Sequence, residues 1–517
     1  MTGVVPLSSA ATRLVDVVRR IREPVHVVAG EDGAIGAISG DPVGGRVLAT
    51  LPALYPEWLG DRSFGEVHGT RFPYVAGEMA HGISTTDMVV ALGQADLLGF
   101  FGAGGLSLDR VGEAVETLRK ALPGRANWGV NLLHAPSRPA WERGMVDLLL
   151  RSEVPAVSVS AFMELTPTVL QLAVSGLRTD AEGRIVRQVR LFPKVSRPEV
   201  AERFLAPPPW SMLEALCTAG RITYAEADLA ARIPVAEDLT VEADSGGHTD
   251  NRPLVALLPR IQELAAHIAG RHGHTPARIG VAGGLGTPAA MAAAFAAGAA
   301  YVVTGSVNQT CVEAGISAGA KKMLAGADLA DVMMAASGDM FELGVKVQVL
   351  RRGTLFGPRA NRLHQLYTEF DSLESIPASE RRKLEHTVFR APFEEIWEET
   401  RGFWENRDPA QLARAETDPK HRMALLFRWY LGKASWWPIR GEQARGDDYQ
   451  LWCGPAAGAF NSWVRGSFLA DLADREVVQV ARNLLEGAAV VTRAHQLRTY
   501  GVPVPAGAFA FVPRRLA

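Results

Sequence analysis

The sequence has few of the features that mark several protein classes. Its cysteines, Cys217, Cys311 and Cys453, lie far apart without a CxxC pair, which argues against a disulfide framework and a metal site. The 54 basic and 56 acidic residues nearly cancel and are interspersed, so we expect no nucleic-acid partner and no membrane surface. No uncharged apolar run is long enough to span a bilayer, and residues 1–20 show no secretory pattern. These absences predict a cytoplasmic protein.

The length of 517 residues, with 47% apolar residues, exceeds one typical domain. Residues 1–68 are rich in glycine and proline and predict an N-terminal extension with a small β element. Residues 69–330 alternate short apolar runs with helical patterns. Residues 331–517 carry clustered tryptophans and long helical patterns, which predict a mostly helical second unit.

Eight short apolar runs lie between residues 73 and 306: PYVAG, DLLGFF, NWGVNL, AVSVS, VRLFPK, DLTVEA, RIGVAGG and YVVTGS. Strands alternating with amphipathic stretches are typical of parallel βαβ units, and eight such units predict a (β/α)8 TIM barrel. One intervening helix places Leu108, Val111, Val115, Leu118 and Leu122 on one face, and Ser84 with Asp87 predicts a capping box for another. A doubly wound sheet is the alternative, but GFFGAGGLS is not the GxGxxG fingerprint such a sheet would use.

Glycine-rich loops follow the last two predicted strands, as VAGGLGTP and VTGSVNQ. The loops after strands seven and eight form the recurrent phosphate site of TIM barrels, because bare backbone can approach an anion there. Thr304 and Ser306 add hydroxyl donors. Glycines that only turn βα loops are the alternative, but two adjacent loops in this order favour phosphate binding.

The sequence DSGGH, residues 244–248, ends the sixth predicted strand. Small residues there allow a flat ring to lie across the barrel mouth, and His248 would sit at the edge of that ring. Histidine gives or takes a proton near neutral pH, so His248 is a candidate proton donor. A structural histidine that caps a loop is the alternative.

Three other strand ends carry candidate residues. Gly77 and Met79 follow strand one, where backbone could approach a ring, and Asn131 ends strand three as an amide partner for a heterocycle. Lys194 ends strand five, where a cation could stabilise negative charge on a reduced ring. Ordinary loop polarity, or a solvated lysine, is an equally good interpretation of these positions.

Taken together, these strand ends resemble the nitronate monooxygenase-like FMN barrels. DSGGH matches the E-A-G-G-H of that group, VAGG its A-A-G-G, and VTGS its M-G-T, over roughly residues 70 to 320. Almost the whole chain resembles the PfaD family of free-standing enoyl reductases. The stretches that carry this second resemblance include WGVNLLHAP, FPKVSRPEVAERFLAP, ELGVKVQVLRRGTLFGPRANRLHQLY and DYQLWCGPAAGAFNSWVRGSFL.

The resemblance implies FMN as cofactor, NADPH as hydride donor and a 2-enoyl group on an acyl carrier protein domain of a polyketide or fatty acid synthase. It places the FMN phosphate at four residues, Gly283, Gly284, Gly305 and Ser306, and the flavin ring near the remaining candidates, Gly77, Met79, Asn131, Lys194, Ser245, Gly246 and Gly247. His248 and Lys194 are then the catalytic candidates. The sequence departs from the group at Asp244 and Ser245, which replace Glu-Ala.

The helical segment 331–517 is expected to receive the carrier protein under this resemblance, through basic residues that could meet an acidic partner: Arg401, Arg414, Lys420 and Arg422. Solvated surface charge is the alternative for each. A nitronate monooxygenase-type oxidase and a non-catalytic, flavin-containing synthase component remain rival functions, and a homodimer remains an open alternative.

Overall fold

The computed structural model describes residues 7–42, 46–136 and 138–516 of the chain. These residues form two compact units. The first unit takes in the chain up to Asp244, then Asp250–Ala314, and the segment from Ala459 onward. The second unit is built from Gly315–Gly458 together with the short segment Ser245–Thr249.

The first unit contains the predicted TIM barrel. Its eight parallel strands close in the order β4, β5, β6, β7, β10, β11, β13, β14, with β14 hydrogen bonded to β4. All eight predicted apolar runs form these strands, which confirms the fold class. The bounds are β4 Tyr74–Ala76, β5 Leu98–Phe101, β6 Trp128–Leu133, β7 Ala156–Ser160, β10 Arg190–Val195, β11 Asp238–Glu242, β13 Arg278–Ala282 and β14 Val302–Thr304.

One helix precedes the first barrel strand, and the others follow strands around the barrel. They are α2 Arg62–His68, α3 Thr86–Gln94, α4 Leu108–Ala121, α5 Pro139–Arg151, α6 Pro167–Val174, α7 Pro198–Leu205, α8 Trp210–Thr218, α9 Tyr224–Ala230, α10 Leu254–His272 and α11 Pro288–Ala296, and a β-ribbon of β8 Arg178–Thr179 and β9 Ile185–Val186 follows α6. Helix α4 buries Val111, Val115 and Leu118, as its spacing predicts. The predicted capping box of α3 is wrong by one residue, because Thr85 accepts the N-cap hydrogen bond from Met88.

The barrel interior is apolar on most strands and polar along β11. Phe100, Phe192 and Tyr301 belong to one buried cluster within the barrel. On β11, alternate residues face the same side, so Asp238, Thr240 and Glu242 form a polar row. Thr240 shares a hydrogen bond of 2.9 Å with Tyr301, and buried Asp238 pairs with Arg278. Glu242, at the C-terminal end of this row, belongs to the candidate site.

Segments from both ends of the chain complete the first unit. Helix α1 Leu7–Arg19 precedes an antiparallel sheet of β1 Val25–Ala29, β2 Ile35–Ser39 and β3 Arg46–Leu51. Helix α19 Val477–Thr499 packs against α11, and its buried Arg493 donates a hydrogen bond to the carbonyl of Pro52. The predicted unit 331–517 therefore does not coincide with the structure, in which the segment from Ala459 onward belongs with the barrel because α19 buries its apolar face there.

The second unit joins a small sheet to a set of helices. Its antiparallel sheet has the order β12, β16, β15, with bounds β12 Gly247–His248, β15 Val332–Ala336 and β16 Lys346–Leu350. Its helices are α12 Ala318–Ala325, α13 Phe356–Glu369, α14 Ala378–Leu384, α15 Phe393–Glu405, α16 Pro409–Thr417 and α17 Pro419–Arg440, and α18 Pro455–Val464 spans the point at which the chain returns to the first unit.

A buried charge network orders the helices of the second unit. Asp448 is fully buried, and its carboxylate accepts hydrogen bonds from Tyr430 at 2.8 Å, from Arg359 and from Arg445. Arg390 forms a further ion pair with it at 3.2 Å. Because a buried carboxylate must be compensated, this network fixes the ends of several segments at one point.

Candidate active site

Two glycines in the loops that follow β13 and β14, Gly284 and Gly305, border open space. Gly283 and Gly284 adopt left-handed backbone, with φ of 91° and 73°. A Cβ on Gly283 would lie 2.8 Å from the carbonyl oxygen of Asp244, so this glycine permits a close backbone approach. A Cβ on Gly284 or Gly305 would meet no atom within 4 Å. The space beside these two glycines therefore fits the phosphate group that the sequence predicts there.

The hydroxyl of Thr304 is already used inside the barrel. Its Oγ1 lies 2.5 Å from the Tyr74 hydroxyl and accepts a hydrogen bond from Asn308 Nδ2 at 3.1 Å, and the side chain is buried. These contacts give Thr304 a structural role, and its predicted contact with phosphate stays a prediction. Ser306 is half-buried and begins a short 3-10 helix, Ser306–Thr310.

The ends of β4 and β6 are held by hydrogen bonds to neighbouring loops. The amide of Gly77 donates to the Thr304 carbonyl at 2.8 Å, and Met79 is buried two residues later. Asn131 Oδ1 accepts hydrogen bonds from the amides of Ala103 and Gly104 at 2.8 and 3.2 Å. The side chain of Asn131 therefore fixes the loop after β5, which sequence reasoning did not foresee.

Lys194 lies between two carboxylates at the end of β10. Its Nζ is 2.9 Å from Glu242 Oε1 and 3.2 Å from Glu78 Oε1, and Ser160 donates a hydrogen bond of 2.7 Å to the same Glu78 oxygen. The three charged side chains are 6 to 20% exposed. This Glu78–Lys194–Glu242 cluster joins the ends of three barrel strands.

The cluster holds Lys194 and Glu78 in their charged forms. Burial alone would lower the pKa of Lys194, but the two carboxylates outweigh it and raise that pKa above its ordinary value. Burial likewise would raise the pKa of Glu78, whereas Lys194 and Ser160 hold it below its usual value. The sequence predicted Lys194 as a lone cation and missed both partners. The alternation of β11, which turns Glu242 toward the same side as Thr240, was the available signal.

The segment Ser245–His248 is pinned within the second unit. Gln348 Nε2 donates to the Ser245 carbonyl at 2.7 Å, and a Cβ on Gly246 would lie 2.7 Å from Cys453 Cα. The close approach at Gly246 is therefore made by the backbone of Cys453. Gly247 has φ of 82° with open space beside it. The flavin contacts predicted for Ser245, Gly246 and Gly247 stay predictions.

His248 has an acidic neighbour that the local sequence did not reveal. On β12 it pairs with Val347 of β16, and its Nε2 lies 3.4 Å from Asp339 Oδ2. Ser337 Oγ lies 3.4 Å from the same Nε2 and donates to Asp339. Burial would raise the pKa of Asp339, but the contact with His248 lowers it below its ordinary value. Asp339 is far along the chain, so only the sheet brings the two residues together.

Asp244 and Asp250 brace the chain on either side of this segment. Asp244 accepts a hydrogen bond from Asn251 Nδ2 at 2.8 Å, and its amide donates to the Arg252 carbonyl. Asp250 accepts from Arg197 at 2.9 and 3.0 Å and from Ser196 at 2.6 Å. The contacts of the two aspartates hold the chain within the first unit at both ends of the segment 245–249. They give Asp244 a structural role, which the sequence had left open.

The basic residues predicted to meet an acidic partner have local contacts. Arg401 pairs with Glu398, Arg414 pairs with Asp418 at 3.1 Å, and Lys420 pairs with Asp371 at 3.1 Å. The guanidinium of Arg422 lies 4.7 Å from the ring centre of Trp397. Solvated or internally paired charge is the simpler interpretation of these four, and their predicted contact with a partner stays a prediction.

No helix within the described ranges combines the length and the apolar character that crossing a bilayer requires. Elsewhere in the first unit, a depression of about 580 Å³ lies among the outer helices α5, α6 and α8. It is lined by Arg143, Asp147, Gln171 and Arg221, and Arg221 bonds to both Asp147 and Gln171. Because its lining comes from the outer helices and not from the strand ends, this depression contributes nothing to the site.

A closed barrel of eight parallel strands with helices between them defines the class of (β/α)8 TIM barrels. Comparison with known proteins narrows this class. The chain is 46% identical to a polyunsaturated fatty acid synthase polypeptide of Thraustochytrium sp. over 466 residues, which are 89% of this chain and 31% of that protein. It is 44% identical to the polyketide biosynthesis protein ThaF of Burkholderia thailandensis, over 87% of this chain and 38% of that protein. The chain thus spans about a third of these relatives.

A solved structure matches over its whole length. The enoyl reductase domain of MlnA, from the macrolactin biosynthesis cluster of Bacillus amyloliquefaciens, superimposes with a TM-score of 0.81 at 37% identity, covering 86% of this chain and 99% of that chain. Residues 370–449 also match the family described as acyl-carrier-protein S-malonyltransferase, inserted helical domain. The chain belongs to the PfaD-like family of these proteins.

Proposed function

We propose that this chain is a trans-acting enoyl reductase of polyketide or polyunsaturated fatty acid biosynthesis. It uses FMN and NADPH to reduce a 2-enoyl thioester carried on an acyl carrier protein. The observation that carries the proposal is the likeness to the MlnA enoyl reductase domain, at 37% identity over 99% of that domain. The relatives named for polyunsaturated fatty acid and polyketide synthesis support the pathway class.

The barrel residues fit FMN. The space beside Gly284 and Gly305 suits its phosphate, because a side chain at either position would project into that space. Bound FMN would supply the hydride chemistry between the nicotinamide and the β-carbon of the enoyl group. The protein would supply binding, orientation and charge.

Lys194 is assigned to the polar side of the flavin ring. Its positive charge is already balanced by Glu78 and Glu242, so the cluster as a whole carries no net positive charge. We therefore assign Lys194 a hydrogen-bonding role, in which the two carboxylates hold its Nζ in place. Asn131, fixed by its bonds to Ala103 and Gly104, takes the amide position at the end of β6.

His248 is assigned to the α-carbon of the substrate. Hydride addition at the β-carbon leaves negative charge on the thioester, and the α-carbon must then gain a proton. A positioned imidazolium can give that proton near neutral pH. The proton leaves His248 and forms the new C–H bond, which completes the saturation of the double bond.

The mostly helical second unit is proposed to receive the carrier protein. Residues 370–449 match the inserted helical domain of acyl-carrier-protein S-malonyltransferase, and this match supports the assignment. Acyl carrier protein domains of the partner synthase are then the macromolecular partners.

Anaerobic stopped-flow spectroscopy of the purified, FMN-loaded chain tests the proposal. We expect NADPH to bleach the flavin, and a carrier-bound 2-enoyl thioester to restore its absorbance with formation of the saturated thioester. Oxygen uptake that depends on a nitroalkane, without reoxidation by the enoyl thioester, would instead identify a nitronate-oxidising enzyme. Protein whose flavin no donor reduces would identify a non-catalytic synthase component.

A further inference from the structure

The second unit holds an acidic residue against His248. Asp339 lies in the segment between β15 and β16, and its Oδ2 is 3.4 Å from His248 Nε2. The two residues meet because β12 and β15 both pair with β16, on its opposite sides. The contact therefore depends on the sheet of the second unit and on no local sequence motif.

The segment that carries Asp339 is anchored at several points. Ser337 is buried, and its amide extends the ladder by donating to the Val345 carbonyl at 2.9 Å. Phe341 is fully buried, with its ring 5.2 Å from that of Tyr367 and 6.3 Å from that of Phe427. Anchors on both sides restrict where the carboxylate of Asp339 can lie, so its position against the imidazole is set by the fold.

A Ser–His–Asp nucleophilic triad does not describe this cluster. In such a triad the carboxylate and the hydroxyl contact opposite ring nitrogens of the histidine. Here Ser337 Oγ and Asp339 Oδ2 both face Nε2, each at 3.4 Å, and the Ser337 hydroxyl donates a hydrogen bond to Asp339 Oδ1. Ser337 thus orients the carboxylate, and the carboxylate faces the ring.

We infer that Asp339 is the positioning residue of His248, holding the orientation of its imidazole and favouring its protonated form. The catalytic consequence rests on the proposed function, because a proton donor must be protonated before it can act. Lys346 of β16 precedes Val347, the residue that pairs with His248, so the alternation of the strand turns the Lys346 side chain to the opposite face of the sheet. Burial and, after it, the charge of Lys346 lower the pKa of a different histidine, His364.

The direct test measures the pKa of His248 in the full-length chain by NMR of labelled histidine, with the His248 signal assigned by its loss in His248→Gln. Asp339→Asn keeps the size of the side chain and removes its charge. We expect the pKa of His248 to fall by about 0.5–1 unit in Asp339→Asn, since an opposite charge within reach of a histidine raises its pKa. Asp339→Glu is expected to restore most of the shift.

Glu342→Gln is the matched control. Glu342 lies in the same segment but pairs with Arg428 at 3.2 Å, so its loss should leave the pKa of His248 unchanged. An unchanged pKa in Asp339→Asn, or an equal fall in both variants, would overturn the inference. These NMR outcomes do not depend on turnover. Failure of the wild-type protein to reduce an enoyl thioester would therefore overturn the proposed function. It would not affect the NMR test of Asp339, which needs no turnover.

Stopped-flow kinetics then tests whether Asp339 affects proton donation by His248. Flavin reoxidation by the enoyl thioester should slow by up to about tenfold in Asp339→Asn at neutral pH, because a pKa lower by about 0.5–1 unit leaves less of His248 protonated, with flavin reduction unchanged. The pH at which reoxidation declines should also move down with the pKa of His248, because the donor loses its proton earlier. Reoxidation at wild-type rate and with a wild-type pH profile in Asp339→Asn would overturn the catalytic part.

Discussion

Lys194 and Glu242 meet at the C-terminal edge of the barrel, with the Nζ of the lysine 2.9 Å from Oε1 of the glutamate. Glu78 approaches the same ammonium group from the end of β4. The cluster is mostly buried, so the stability of the barrel depends on the charge state of this edge.

Lys194→Met should destabilise the barrel by about 3–5 kcal/mol near neutral pH, because it removes the cation that faces the mostly buried carboxylate of Glu78. In the wild type, the depressed pKa of Glu78 adds stability above the ordinary glutamate pKa. Without Lys194, burial raises that pKa instead, so acid protonates the carboxylate and relieves the penalty. The gap in unfolding free energy between wild type and variant should narrow from about pH 7 to pH 5, as measured by urea unfolding.

Lys120→Met is the control for this experiment. Lys120 pairs with Glu116 on the surface of α4 and is 75% exposed, so its loss should change stability by less than about 0.5 kcal/mol. A Lys194→Met protein as stable as wild type at both pH values would show that the cluster contributes no net stability.

Gly305→Leu should abolish retention of FMN. The φ of Gly305 is −127°, outside the left-handed region, so a side chain is expected to enter the open space beside it without the strain of a positive φ. The measurement is flavin absorbance per protein after purification, with FMN affinity titrated on the apoprotein. Gly270→Leu is the matched control, because Gly270 is exposed in α10 and also borders open space. Full flavin content in Gly305→Leu would refute the phosphate site.

His248→Ala should separate the two half-reactions. Flavin reduction by NADPH needs no proton from this side chain and should keep its rate. Reoxidation by the enoyl thioester should slow by about 10²–10⁴-fold, the usual range for a positioned general acid. His272→Ala, at an exposed position near the end of α10, should change neither rate. Equal slowing of both halves would assign His248 a positional role, and unchanged reoxidation would show that the proton has another source.

Asp448→Ala should destabilise the second unit by about 3–5 kcal/mol, because it removes a buried carboxylate and leaves the half-buried guanidinium groups of Arg359 and Arg445 without that ion pair. Tryptophan fluorescence during chemical unfolding reports on this unit, since Trp437 lies against Tyr430 of the network. Asp371→Ala serves as the control, as Asp371 is 96% exposed and should contribute almost nothing. Identical unfolding curves for Asp448→Ala and wild type would exclude the network as a source of stability.

The sequence by itself determined the barrel. Apolar runs such as AVSVS and DLTVEA alternate with amphipathic helices, as in parallel βαβ units, and their number favours a (β/α)8 barrel over the doubly wound sheet. All eight runs form strands of the closed barrel. The same order of strands located the open glycines at Gly284 and Gly305, because loops that follow neighbouring parallel strands must lie at one end of the barrel.

Tertiary structure alone decided the partners of the charged and polar groups. Glu78 and Glu242 come from strands distant in the chain from Lys194, and Asp339 reaches His248 only through the sheet of the second unit. Local patterns report which face of an element is buried, whereas the pairing of charges depends on long-range contacts that no periodicity encodes. For the same reason the chain returns to the barrel at Ala459 without a signal in its helical pattern: the apolar face of α19 is visible in the sequence, but the surface that covers it is not.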